Sequence, residues 1–223
     1  MSGAEVRPGF SARKAFKLQR MLAERVVWEG RLSNVRYVCG LDLAYVGDLG
    51  IAVATLHNYP DLKLIKYSVV AGTVPIPYVP GLLAFREAPL MFKAIEKLGV
   101  KPDLIVVDGH GVTHPRGLGI ASHIGVVLDT PSVGAAKRVL TGEVIKRGGR
   151  EYLVVKGRVG ALVVRPRRRR TVYLSIGHKV GMDEIERLSK VLFKGHALPE
   201  PTYAADRITK EVRRAVKEGS WGR

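Results

Sequence analysis

Apolar and polar positions alternate in three short runs, Tyr37 to Tyr45, Ile51 to Leu56 and Leu64 to Ala71. Runs of this length, rich in β-branched and aromatic residues, predict strands, because successive strand side chains point to opposite faces. The linkers Val46-Gly-Asp-Leu-Gly50 and Asn58-Tyr-Pro-Asp61 carry turn residues, so the three runs form an antiparallel meander. Upstream, Phe16, Leu18, Met21, Leu22, Val26 and Val27 recur at roughly helical spacing and predict a helix over 10–28. Downstream, Ala84, Ala88, Met91, Phe92, Ile95 and Leu98 share one face of a second helix, in which Pro89 is a kink or the start of the main part. Leu104 to Val107 is apolar throughout, as expected of a strand covered on both faces and paired in parallel.

A short helix is expected over Leu118 to Val127, and a strand over Val133 to Ala136. Tyr152 to Val155, Ala161 to Val164 and Thr171 to Ile176 read as further strands, with turns at Arg147-Gly-Gly-Arg150 and Lys156-Gly-Arg158. Two helices close the chain, Asp183 to Phe193 and about Tyr203 to Lys217, the second with Ala205, Ile208, Val212 and Val216 inward. There is no internal repeat and no composition break. The pattern predicts mixed α/β architecture in a single domain over 1–223, with a basic, strand-rich elaboration at about 141–176.

Charge narrows the function. Lys and Arg number 37 against 20 Asp and Glu, a formal net charge of +17, which makes a polyanion the first-choice partner. The single cysteine, Cys39, cannot form an internal disulfide and fits a reducing compartment. No segment has a signal-peptide pattern or transmembrane length, so a soluble, cytoplasmic protein is expected, without a membrane partner.

The candidate chemistry starts where the apolar strand 104–107 meets Asp108 and the loop Gly109-His-Gly-Val-Thr-His114. A carboxylate ending a buried strand needs a partner, and open α/β sheets place ligands at that end; the alternative is an Asp that merely starts a turn. Strand alternation puts Val38, Gly40, Asp42 and Ala44 on one face, so Asp42 points either into a ligand pocket or to water at an edge. Glu87 and Asp206 sit near helix starts, where an acid also complements the helix dipole. Three or four such acids on separate elements suit Mg²⁺ or Mn²⁺, whereas His110 and His114 lack the soft partners zinc requires. Two Mg²⁺ ions so held would stabilise the attacking and leaving oxygens of a phosphodiester. Lys137 is a phosphate-holding point charge or a snorkelling surface Lys. His114 orients a water or phosphate oxygen, or simply bonds backbone. Pro77-Tyr-Val-Pro80 is a stiff aromatic segment, either a wedge between bases or a packed loop. Arg165 and Arg167 to Arg170 form a phosphate-backbone contact or a solvated turn.

Taken together these residues resemble the endonuclease V family, the deoxyinosine 3′-endonucleases. The matching blocks are Gly40-Leu-Asp-Leu-Ala-Tyr45, Pro77-Tyr-Val-Pro-Gly-Leu-Leu-Ala-Phe-Arg-Glu87, Asp108-Gly-His-Gly-Val-Thr-His-Pro-Arg-Gly-Leu-Gly-Ile-Ala-Ser-His123, Gly134-Ala-Ala-Lys137, Ile176-Gly-His-Lys-Val180 and Leu198-Pro-Glu-Pro-Thr202. The resemblance implies a ribonuclease-H-like mixed sheet flanked by helices. It implies Mg²⁺-dependent hydrolysis of the second phosphodiester 3′ to deoxyinosine in DNA, leaving 3′-hydroxyl and 5′-phosphate ends, with Mn²⁺ as substitute metal. It also implies Asp42, Asp108 and Glu87 as metal-site residues, His114 and Lys137 at the scissile phosphate, and Pro77, Tyr78, Val79 and Pro80 as the wedge. Leu83, Gly109, His110 and Gly111 would line the base pocket. Tyr203 departs from the family pattern, where Arg is frequent, and Asp206 is carried only as an additional candidate ligand. A monomer is expected. Two alternatives stay open from sequence: an endoribonuclease on inosine-containing RNA, and a basic, non-catalytic nucleic-acid-binding protein.

Overall fold

A computed structural model describes residues 10–166 and 170–221, so Arg167 to Arg169 of the basic cluster lie outside the described residues. One nine-stranded sheet runs through it. The strands are β1 (Tyr37–Val46), β2 (Leu49–Asn58), β3 (Leu64–Thr73), β4 (Leu104–Val107), β5 (Ser132–Ala136), β6 (Glu143–Arg147), β7 (Arg150–Val155), β8 (Arg158–Val164) and β9 (Val172–His178). They lie in the order β3-β2-β1-β4-β5-β9-β8-β7-β6. β1, β4 and β5 are parallel, and every other pairing is antiparallel. The mixed α/β architecture is the one expected from the sequence pattern, and the mixed sheet flanked by helices is the one the family resemblance implies.

Strand alternation divides the core in two. Cys39, Leu41, Ile105 and Val107 face helices α2 (Leu83–Lys97) and α3 (Ile120–Leu128). Val38, Leu104, Val106 and Val133 face the other way, into a core with Ile185 and Leu188 of α4 (Met182–Leu192). The final helix, α5 (Glu200–Lys217), lies on β1 and β2. Its approach is very close. A Cβ at Gly40 would stand 2.1 Å from the Pro201 carbonyl oxygen, and the Thr55 hydroxyl, opposite Gly40 on β2, donates to that oxygen at 3.0 Å.

Several elements differ from the pattern-based expectation. The first helix, α1 (Ala12–Ala23), is capped by the Ser11 hydroxyl and ends five residues earlier than the periodicity suggested. Its buried residues are Ala15 and Gln19, while Leu18 and Met21 are exposed. α5 starts at Glu200, and its buried residues are Pro201, Thr202, Ala205 and Thr209; Ile208, Val212 and Val216 are only half-buried. In both helices the close face is small or polar, because it meets backbone rather than a layer of large side chains. α2 runs through Pro89 without a break. β6 has no counterpart in the sequence pattern, because four of its five residues are exposed and burial imposes no alternation on it. It is an edge strand held by its hairpin to β7.

Gly40→Ala is expected to lower the stability of the protein by roughly 1–3 kcal/mol, since the added methyl meets fixed backbone and α5 must move off β1. Denaturant unfolding of the two proteins measures this, and equal midpoints would show that the close contact carries no energetic weight.

Candidate active site

Three of the predicted residues stand where the parallel pairing of β1, β4 and β5 ends. Asp42 lies within β1, one residue beyond the last β1–β4 pair, Leu41 and Val107. Asp108 follows β4 directly, and its amide donates to the Leu41 carbonyl at 3.1 Å, which fixes it beside Asp42. Lys137 follows β5, and its Nζ sits 2.5 Å from Asp108 Oδ2. Glu87 comes from the second turn of α2 and is 9% exposed. Asp206, on α5, bonds Lys210 one turn on, Nζ to Oδ2 at 2.6 Å.

These groups act on each other electrostatically. Burial pushes the Asp42 carboxyl up to about 6, helped by the charges of Asp108 and Asp206 and opposed by Thr209 and Lys137. Burial also pushes Glu87 up to about 7; Tyr45 and Arg86 oppose the rise, and Asp42 and Asp108 add to it. Burial works against the Lys137 ammonium, but Asp108, with Asp206 and Asp42 behind it, raises its pKa above the ordinary value. Asp42, Glu87, Asp108, Asp206 and Lys137 therefore form one charge cluster. Among the described residues no three His, Cys, Asp or Glu side chains form a ready-made metal cage. The chemistry of the set still fits a hard divalent cation: the donors are carboxylate oxygens, and a cation would offset both the burial and the mutual repulsion of the acids.

The histidine loop is braced from within. Gly111 N–H donates to Ser175 Oγ at 2.9 Å, and its carbonyl accepts from Gly119 at 2.9 Å. A Cβ there would stand 1.9 Å from the Ile176 carbonyl oxygen, so the position requires glycine. His110 Nδ1 lies 2.9 Å from Thr113 Oγ1. His114 is buried, with Nδ1 accepting from Arg116 N at 3.2 Å and the Gly81 carbonyl near enough to oppose the lowering of its pKa. Burial pushes both imidazoles down to about 4, so both are neutral at pH 7. In this structure His114 places its loop beside the end of the 77–80 segment. Tyr78 in that segment is 69% exposed, and Leu83, opening α2 just after it, is 41% exposed.

Two functional candidates escaped the sequence reading. Tyr45 donates to Glu87 Oε1 at 3.3 Å and accepts from Arg86 Nε at 3.1 Å, while Arg86 Nη1 also donates to the Ile76 carbonyl. Gln19 bonds Gly81, Leu118 and Arg116. Gln19 carries no motif signal, and Tyr45, though inside the Gly40–Tyr45 block, has no role implied by it. Tyr45 ended a strand, and Gln19 interrupted an apolar stripe.

The family model for endonuclease V matches residues 20–207. The chain is 47% identical over 210 residues to an endonuclease V of Ignicoccus hospitalis, covering 93% of this chain and 98% of that protein. The crystal structure of a Streptomyces avermitilis endonuclease V is 34% identical with a TM-score of 0.83, covering 94% of this chain and 95% of that one. The structure of human ENDOV is 27% identical, also with a TM-score of 0.83, covering 93% and 100%.

The raised acids set a sign for pH dependence. Folded Glu87 holds its proton more tightly than the unfolded chain does. Its contribution to stability is therefore fully present below the usual 4.5 and is lost as pH rises through about 7. The shift corresponds to a loss on the order of 3 kcal/mol. Glu87→Gln in EDTA is expected to melt several degrees above the native protein at pH 8 and level with it at pH 5. A difference in melting temperature that does not change with pH would contradict the buried-acid assignment.

Proposed function

The chain belongs to the endonuclease V family, and from that membership we infer that it is a divalent-metal-dependent DNA repair endonuclease. It recognises deoxyinosine and hydrolyses the second phosphodiester on the 3′ side. One observation carries the reading: Asp42 and Asp108 are side by side just past the last pair of adjacent parallel strands, with Glu87 and Lys137 in the same charge cluster. A protein that only binds a polyanion gains nothing from buried, mutually repelling carboxylates, which also repel phosphate.

In this reading Asp42 and Asp108 hold Mg²⁺, with Mn²⁺ as substitute, and Glu87 completes the site directly or through water. Asp206 is an additional candidate ligand. When bound, the cation supplies positive charge to the scissile phosphate and favours attack by water at neutral pH. The protein's own residues do the rest. Lys137, held on Asp108, presents an ammonium to a phosphate oxygen. His114 stays neutral and keeps its loop against the 77–80 segment beside the phosphate. Tyr45 keeps Glu87 turned toward the other acids. Pro77, Tyr78, Val79 and Pro80 act as the wedge that fills the space a displaced base leaves. Leu83 and the Gly109, His110 and Gly111 backbone border the base. Hypoxanthine fits where an exocyclic amine would clash or leave polar groups unpaired. The surplus of basic residues, including the 141–176 elaboration, contacts the phosphate backbone. The working form is a monomer in the cytoplasm; among the described residues no helix is long and apolar enough to cross a membrane.

End-labelled single-stranded DNA and RNA, each with one inosine, test this with Mg²⁺ and with EDTA. Cutting of the DNA one nucleotide beyond the inosine, with Mg²⁺ only, is expected. Asp42→Ala is expected to lose cleavage by more than about a hundredfold while keeping binding. Preferential cutting of RNA would reassign the substrate, and binding of both without cutting would sink the enzymatic reading.

A further inference from the structure

Gln19 is 1% exposed, a polar side chain buried on the inner face of α1. Every polar atom of its amide is used. Nε2 donates to the Gly81 carbonyl at 2.9 Å and to the Leu118 carbonyl at 3.0 Å, and Oε1 accepts from Arg116 Nε at 2.5 Å. Arg116 closes the ring of contacts, because its Nη2 also donates to the Gly81 carbonyl at 2.9 Å. Its guanidinium lies 4.5 Å from the ring centroid of Phe16, three residues before Gln19 on the same helix. Gly81 is shaped for this contact, with φ +81 and Arg116 Nη2 only 1.9 Å from where a Cβ would stand. At the other end of the segment, Arg86 holds the Ile76 carbonyl. Residues 77–80 thus span two guanidinium contacts, with Tyr78 projecting between them.

A wedge that parts stacked bases works against an unstacking cost of a few kcal/mol per step. It transmits that load only if its ends do not yield. The Gly81 end is held by the Gln19 amide together with Arg116, and the same amide also holds Leu118 and Arg116, so Gln19 joins every contact that sets the spacing between the wedge and the loop. An apolar residue at 19 would leave two buried carbonyls without the amide donors they now have, which is costly, and would free that spacing.

We propose that Gln19 is a positioning residue for the wedge: through Gly81, Leu118 and Arg116 it sets where Tyr78 stands relative to the carboxylate cluster. It therefore governs cleavage when inosine lies within a duplex. The inference rests on the wedge reading given under the proposed function.

The experiment compares single-turnover cleavage of one inosine oligonucleotide, alone and annealed to its complement, by the native protein, Gln19→Met, Gln19→Glu and Tyr78→Ala. Met conserves volume and makes none of the hydrogen bonds. Glu keeps the acceptor for Arg116 and loses both donors, and it carries the test if the Met variant does not fold. Both Gln19 variants are expected to lower the duplex-to-single-strand rate ratio by about tenfold or more, as a misplacement on the scale of 1 Å would. Duplex affinity is expected to change far less than rate. Tyr78→Ala is expected to lower the same ratio. If Tyr78→Ala lowers the ratio and folded Gln19 variants leave it unchanged, or lose both substrates equally, the positioning role is overturned while the wedge stands. If Tyr78→Ala does not lower the ratio, the wedge reading itself falls, whatever the Gln19 variants do.

Discussion

Carboxylates placed beside one another out of water repel, and the middle of this sheet is arranged around that repulsion. β1 and β4 run parallel and in register, so the acids just past their last pair, Asp42 and Asp108, meet at one edge of the paired region. β5, the next parallel strand, delivers Lys137 to the same edge. Helices from opposite faces of the sheet add Glu87 and Asp206. Lys137 on Asp108, Lys210 on Asp206 and Arg86 beside Glu87 offset part of this charge, yet burial, with a smaller push from the neighbouring acids, still raises Asp42 and Glu87. Such a cluster is costly to the free protein and of use to a cation, which is the expected relation between a strained site and its ligand.

Bringing α5 close enough to contribute depends on an absence of side chain. Gly40 lets the Pro201 carbonyl lie almost on the strand, and Thr55 gives that carbonyl its hydrogen bond. The same economy of bulk recurs in the histidine loop, where Gly111 passes against Ile176 and its own N–H and C=O are both taken up within the protein. The loop is therefore rigid before any substrate arrives. Its coupling to the 77–80 segment, through His114, Arg116 and Gln19 at Gly81, makes site and wedge one body. Pre-organisation of this kind places reacting groups without an ordering cost at the moment of binding.

Much of this was legible in the chain. The meander and α4 follow from the period of apolar residues, and the strand at 104–107 from an unbroken apolar run, because burial selects side chains at period two, at helical spacing or on both faces at once. Asp42 and Asp108 stood out because an acid within or directly after an apolar run is costly and needs a reason. Glu87 and Asp206 did not stand out alone, since acids near helix starts are common, and only the resemblance to a family singled them out. β6 left no signal because an exposed edge strand is not constrained by burial. α1 was misread because its inner face is read by carbonyls, which favour a glutamine over a leucine.

The sequence by itself determined the order and type of most elements, the basic surface, and which acids lay on apolar strands, because each depends on local period or on composition. The tertiary structure decided which acids meet, and that Lys137 rather than another cation sits on Asp108. It also decided that Gln19 and Arg116, 62 and 35 residues from Gly81 in the chain, converge on its carbonyl. Contacts between distant segments depend on how strands are ordered and how closely helices approach, and neither is written in the spacing of residues along a single element.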